Sequence, residues 1–461
     1  MKHLYRAFLT LSLLVCLLPF AGMGVRPTTA SAENRVLSSF PSLTRRDGRV
    51  NTAFFQEFDT WFTEHFAFRN ELVFADSVIQ SDLFRVSANE KVICGADGWL
   101  YYASTLPDYQ GTGLVSAREI CSMAHNLELA DHYVRAHGAK LLLAFPANKN
   151  TLYGAFMPRY YPAPAGTEHN LFRLQDLLSQ RDLPYADLYS LFSAEPEILY
   201  HRQDSHWNSK GAMLAYTLMM EKLSLPHTDF SALPVTRALS HEGDLGRMLY
   251  TFYGKKGADY RYDLDGRYEI AEAAGQTGDG WIETAGKDGR GTLLMFRDSF
   301  TDALLPFLAS SFKTAYFTKE QPYGLEALME RCAPNAVIFE KAERNLPDYL
   351  DMPPLFSAPE AKLPAAEEAY REGMEVSLRT LENDTAYYCL SGTVAGELLP
   401  EDVVYAELDG HACECFHTRG NGFLLYLKKT DLPRAAVNVR VLVESGGVLT
   451  SVWSGVVQEE A

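Results

Sequence analysis

Thr292-Leu293-Leu294-Met295-Phe296-Arg297-Asp298-Ser299-Phe300 decides how this 461-residue chain is read. Its apolar run has no polar face, as expected of a strand buried between two layers. A tight turn carries Ser299, and a helix follows, with Pro306 in its first turns or kinking it. Two further apolar runs, Lys140 to Pro146 and Ala336 to Glu340, have the same character. An amphipathic stretch from about Ser116 to His137 precedes the first of these, and another from Asn170 to Gln180 follows it, with a strand near Tyr185 to Tyr189. Strands alternating with helices predict an α/β fold, a mostly parallel sheet covered by helices on both faces. Functional loops of such sheets gather at the C-terminal strand ends, which places Ser299 and the Asn148-Lys149 loop on one side.

A hydroxyl lifted clear of a strand at a helix N-terminus is well placed for attack, with backbone N–H groups to stabilise an oxyanion. It needs a base. About ninety residues upstream, Asp204-Ser205-His206-Trp207-Asn208-Ser209 supplies one on a short loop ahead of a helix. Asn208 and Ser209 are good N-cap residues, and Ala212, Ala215, Leu218, Met219 and Leu223 recur at helical spacing. Asp204 two residues before His206 can hold its tautomer and raise its basicity. The bland alternatives are an Asp/Ser cap and a loop-ordering pair.

Formal net charge is -17, and no basic run interrupts it, which argues against nucleic acid as a partner. Lys2 and Arg6 precede an apolar run from Ala7 to about Met23, and Ala30-Ser31-Ala32 offers a small-residue cleavage site. Residues 1–32 read as a signal peptide or membrane anchor, which makes the remainder extracytoplasmic. Of seven cysteines, six follow this segment, and none has zinc-knuckle spacing.

Residues 33–360 read as the α/β unit with an N-terminal helical extension, whose aromatics from Phe54 to Phe68 recur as a packing stripe. Two short strands around a Gly-containing turn are expected over Lys91 to Tyr102. Residues 225–290 look irregular, and a Pro/Ala/Glu-rich linker spans 358–368. From 370 to 461 short apolar strands without a helical period predict a small β-sandwich, a candidate carbohydrate-binding domain. His411, Cys413, Cys415 and His417 alternate and would share one face of a strand, a poor tetrahedral arrangement, so no metal is assigned.

Taken together, Glu33-Asn34-Arg35, Gly98-Trp99-Leu100-Tyr101, Pro146-Ala147-Asn148-Lys149, Asp204-Ser205-His206-Trp207-Asn208, Gly243-Asp244-Leu245-Gly246-Arg247-Met248-Leu249 and Asp298-Ser299-Phe300 resemble the DHHW family. These are relatives of the alginate O-acetylation proteins within the SGNH hydrolase-like superfamily. Ser205 stands at the second position of the Asp-His-His-Trp signature, and Arg297 where ordinary members have Gly before Asp-Ser. The resemblance implies acetyl transfer to an extracytoplasmic polysaccharide through an acetyl ester on Ser299, with His206 as base and Asp204 as its orienting acid. It also implies a membrane-bound O-acyltransferase as donor and no cofactor. Asn148, Lys149, Trp207, Tyr153 and Arg344 are the candidate substrate-binding residues, and Tyr250 is a further aromatic of the same kind. The alternatives are a carbohydrate acetylesterase using the same triad and a non-catalytic polysaccharide-binding or assembly protein.

Overall fold

A computed structural model describes residues 2–24, 28, 37–45, 47–164, 166–271, 280–381, 384, 386–432 and 436–459. Glu33-Asn34-Arg35 and the Ala30-Ser31-Ala32 site lie outside the described residues. A seven-stranded sheet forms the centre, in the order Tyr185–Ala186, Lys140–Ala144, Ala336–Glu340, Thr292–Phe296, Thr314–Thr318, Ile282–Gly286, Tyr268–Ile270. The first five strands are parallel, and the last two join antiparallel. The strand that leads to Ser299 is the central one, with Leu294 level with Val337 on one side and Tyr316 on the other.

Alternation along that strand feeds two cores. Leu294 and Phe296 pack with Leu143 and Phe339 beneath helices Ala117–Ala136 and Asn170–Gln180. Leu293 and Met295 pack with Leu142 and Ile338 beneath helices Ser209–Leu223 and Thr301–Ser311. The helix ends follow local chemistry. Ser116 and Glu119 form a reciprocal capping box, and the Asn208 side chain accepts from Gly211 N at 3.0 Å. Pro306 sits inside its helix, and the strands over 92–102 pair around the expected turn.

Two expectations are revised. Residues 225–290 contain regular elements: Val235–His241 pairs antiparallel with Gly257–Tyr262, and the short helix Asp244–Leu249 lies between them in sequence. Every residue of the first strand but His241 is exposed, so no alternation marks it in the sequence. The stretch read as a linker contributes strands Glu360–Ala361 and Glu367–Glu368 to the sandwich. The aromatics of helix Phe54–His65 do form a packing stripe, outside the main cores: Phe58 stacks on Phe54 and Phe62, Phe62 stacks on Phe20 of the apolar helix Lys2–Gly22, and Phe55 is 83% exposed. That N-terminal helix is long and apolar enough to cross a membrane.

The C-terminal sandwich stacks a six-stranded on a four-stranded sheet, with Leu390 and Leu425 facing Val404 and Val441. His411 and Cys413 belong to one sheet and His417 to the other, so the expected shared face does not form. His411 pairs with Glu360, and His417 stacks on His125 of the long helix with ring centroids 4.1 Å apart. None of the seven cysteines is bridged. The sandwich shares a core with the α/β unit: Phe416 is fully buried edge-on to Phe356, and Asn126 bonds both the N–H and the C=O of His417. Phe416→Ala is therefore expected to destabilise the protein by about 3–5 kcal/mol, with one melting transition for the whole chain. Calorimetry that finds two well-separated transitions would contradict this coupling.

Candidate active site

The Ser299 turn is held from beneath. Asp298 accepts from Phe300 N through Oδ1 at 2.8 Å and from Ala342 N through Oδ2 at 2.9 Å. Asp298 N donates to Glu340 Oε2 at 2.9 Å, and Thr301 Oγ1 donates to the same oxygen at 2.7 Å. Burial and the neighbouring Asp298 charge push the Glu340 pKa well up, toward the neutral acid. Arg297 is buried, and its guanidinium donates to Asp302 at 2.5 Å and to the Asp298 carbonyl at 3.2 Å.

Asp204 and His206 come from the loop ahead of helix Ser209–Leu223, which packs in the same core as the helix after Ser299. Asp204 Oδ1 accepts from His206 N at 2.8 Å and lies 2.7 Å from His206 Nδ1. His206 Nε2 is 2.7 Å from Ser299 Oγ. Burial opposes ionisation of Asp204, but bonds from His206 and His241, the His206 charge and the Asp244 N–H outweigh it, holding the carboxyl far below its ordinary range. An ionised Asp204 accepts a hydrogen bond from Nδ1–H, which leaves Nε2 to accept one from the serine hydroxyl. Burial lowers the His206 pKa, yet the Asp204 bond and the charges of Asp204 and Asp244 raise it above the ordinary value on balance. The imidazole is 21% exposed and rests edge-on against Phe300 at 4.8 Å. Such a chain can pass the serine proton to the imidazole as Oγ attacks a carbonyl.

Residues 92–286 match the family described as SGNH hydrolase-like domain, acetyltransferase AlgX. The chain resembles that SGNH hydrolase-like group. Solved structures with a partial likeness include a DHHW family protein from Eubacterium siraeum, at 16% identity and TM-score 0.38, covering 49% of this chain and 85% of that one. The O-acetyltransferase domain of Pseudomonas putida AlgJ has 19% identity and TM-score 0.39, with 55% and 92% covered. Bacillus cereus PatB1 has 17% identity and TM-score 0.43, with 54% and 95% covered. No curated protein matches the chain.

The AlgX-type match takes in Asp204 and His206 and ends before Ser299, so the serine meets them through the fold. Within the matched stretch sit two residues that the sequence reading passed over as site residues. His241 Nε2 donates to Asp204 Oδ2 at 2.8 Å, and its ring stacks on His201 with centroids 3.7 Å apart. Asp244 accepts from Ser205 N and Oγ at 2.8 and 2.6 Å. Ser205 thus anchors the loop, through the motif Gly243-Asp244 that was legible as a pattern but not as a contact. His201 is the neutral partner: burial and the His241 charge draw its pKa down to about 4. His241 is the more basic of the stacked pair, because its bond to Asp204 outweighs its own burial.

His241→Ala is expected to slow acylation of the serine by roughly tenfold to a hundredfold, the loss of one hydrogen bond to a buried charge. Removal of a cationic neighbour from Asp204 also raises the His206 pKa, so the acid limb of the pH–rate profile moves to higher pH. A slower enzyme with an unmoved limb would mean that His241 only braces the loop.

The proposed substrate-binding residues separate. Lys149 is a correction: it is 3% exposed and donates to the carbonyls of Leu100, Arg202 and Asp204 at 2.7, 2.7 and 3.0 Å, with no donor left for a ligand. Burial draws its pKa down to about 7 against the pull of Asp204 and Asp244. Asn148 is buried too, its N–H on Glu343 and its amide on Asp108. Tyr153 accepts from Leu199 N through its hydroxyl and packs on Trp99 and Tyr200. Tyr250 bonds Asp82, away from the cleft. Trp207 forms part of the cleft wall but is 1% exposed, with Nε1 donating to Phe300 O at 2.9 Å. Arg344 stays half-buried, its guanidinium 5.7 Å from the Phe300 ring, where its charge acts on His206.

Ser299 and His206 open on a cleft of about 830 Å³ walled by the hairpin of Val235–His241 and Gly257–Tyr262, the strand Tyr268–Ile270 and the start of helix Thr301–Ser311. His201, His241 and Asp259 in this wall, and Asp204, His206 and Asp244, bring donor atoms within 4.8 Å of one another. The second group is fully engaged by the hydrogen bonds above.

Proposed function

We propose that this protein is an extracytoplasmic O-acetyltransferase that carries an acetyl group on Ser299 and passes it to a polysaccharide hydroxyl. One observation supports the reading above all: the Asp204–His206–Ser299 relay, with 2.7 Å at each link, opens on a cleft large enough for several sugar units. His206 Nε2 takes the Oγ proton as Oγ attacks the acetyl carbonyl of the donor, and the donor's leaving oxygen departs with that proton. An acceptor hydroxyl then loses its proton to His206 and attacks the serine ester, and Ser299 Oγ leaves and regains a proton. The Ser299 N–H, without a bonding partner among the described residues, and the N-terminal end of helix Thr301–Ser311 face the charge that develops on the carbonyl oxygen. Arg344 and Trp207 border the reacting group. The apolar N-terminal helix suits either a signal or an anchor, and an anchor would hold the α/β unit, residues 33–360, beside a membrane-bound acyltransferase donor. The sandwich of residues 370–461, fixed to that unit, would extend the surface presented to the polymer.

The test is partition of the acetyl group. Purified protein is given 4-nitrophenyl acetate with and without a glucan oligosaccharide, and O-acetylated sugar and free acetate are measured. Acetylated sugar formed at the expense of acetate is the expected result. Acetate alone, at a rate the sugar does not alter, would make the protein an esterase.

A further inference from the structure

We infer that the acceptor is a glycan without carboxylates, not a polyuronate such as alginate. This rests on the transfer reaction proposed above and concerns what the cleft admits. Beyond the relay, Glu242, Asp244, Asp259, Asp265 and Asp302 bring carboxylates to the cleft, against the guanidinium groups of Arg247 and Arg261. Asp244 and Asp259 are oriented by serine donors, and this fixes their charge in place without cancelling it. Asp302 is paired with the buried Arg297. Glu242 and Asp265 have no ion-pair partner among the described residues.

A concave surface with more carboxylates than guanidinium groups, walled by low-dielectric protein, focuses a net negative field on whatever enters. The chain as a whole, at -17, adds to that field. A polymer with a carboxylate on every sugar would meet more negative than positive groups there and be repelled on balance. Tyr260, Tyr262 and Tyr268 line the same wall, and aromatic rings offer a surface on which pyranose C–H faces stack with no charge required. Recognition of an uncharged or amine-bearing sugar fits both features.

The test uses the full chain, 4-nitrophenyl acetate as donor, EDTA, and three oligosaccharides of equal length: a neutral glucan, an amine-bearing glucosamine oligomer and an oligomannuronate. In dilute buffer the uronate is expected to be acetylated at least tenfold more slowly than the neutral glucan, and the amine-bearing oligomer at least as fast as the neutral glucan. The gap should narrow at about 1 M salt, where the screening length is about 3 Å. Glu242→Gln combined with Asp265→Asn should narrow it in dilute buffer as well. If transfer is too slow to rank, the affinities of the same three oligosaccharides for Ser299→Ala protein give the order by calorimetry. A uronate used or bound as well as the neutral glucan in dilute buffer overturns the inference. Donor alone separates the two claims: no acetyl on Ser299 is a failure of the proposed reaction, whereas an acetyl-enzyme that prefers uronate is a failure of this inference only.

Discussion

His206→Ala is expected to reduce serine acylation by roughly four orders of magnitude or more while the fold persists, since it removes the group that accepts the Oγ proton. The imidazole borders the cleft at 21% exposure, so its deletion opens space toward solvent instead of leaving a sealed cavity. Asp204 keeps bonds from His241 Nε2 and from the N–H groups at 206 and 244, which limits the structural penalty. Acylation rate and melting temperature on the same samples separate the roles. A near-wild-type rate in the folded fraction would remove His206 from the reaction.

The second large effect is at Asp204. Asp204→Asn should lose about three to four orders of magnitude in rate, because an amide can donate to Nδ1 and so favours the tautomer that presents N–H to Ser299. It should also change the pH profile. The raised His206 pKa means that wild-type activity appears only as the pH climbs past the ordinary imidazole range, since the base must be neutral to act. Without the carboxylate that limb moves to lower pH. Stability carries a second signature. The folded Asp204 pKa lies far below the unfolded value of about 3.9, so its contribution is present above roughly pH 4 and is lost as the pH falls below it. Wild type should therefore exceed the variant in stability at neutral pH and converge with it in acid. His206 and His241 act with the opposite sign, contributing below about pH 6.5 and losing that contribution as the pH rises through their raised folded values.

Much of the fold was legible because its signals are local. The strand before Ser299 and the helix after Asn208 are set by apolar runs and a capping side chain, and both lie where the sequence puts them. The pair Asp204 and His206 was legible because two residues of separation bring a carboxylate within reach of an imidazole, here through a bend in which the His206 N–H folds back onto Asp204 Oδ1. His241 was not, because its strand is solvent-exposed and carries no alternation. Glu340 was hidden as the last residue of an apolar strand, where nothing in the sequence says that its carboxyl turns under the serine turn. Lys149 misled for a related reason. A lysine at a strand's C-terminal end resembles a ligand, and only the three carbonyls converging on it from residues 100, 202 and 204 reveal a buried brace. The linker over 358–368 misled through composition, since two-residue edge strands leave no pattern.

The central claim is that Ser299 becomes the acetyl carrier. Intact-protein mass spectrometry after brief exposure to 4-nitrophenyl acetate, followed by peptide mapping, reads this directly in wild type and Ser299→Ala. One acetyl group is expected on the Ser299 peptide of the wild-type protein, and none at any site in the variant on the same timescale. An acetyl group that forms equally fast in Ser299→Ala would contradict it.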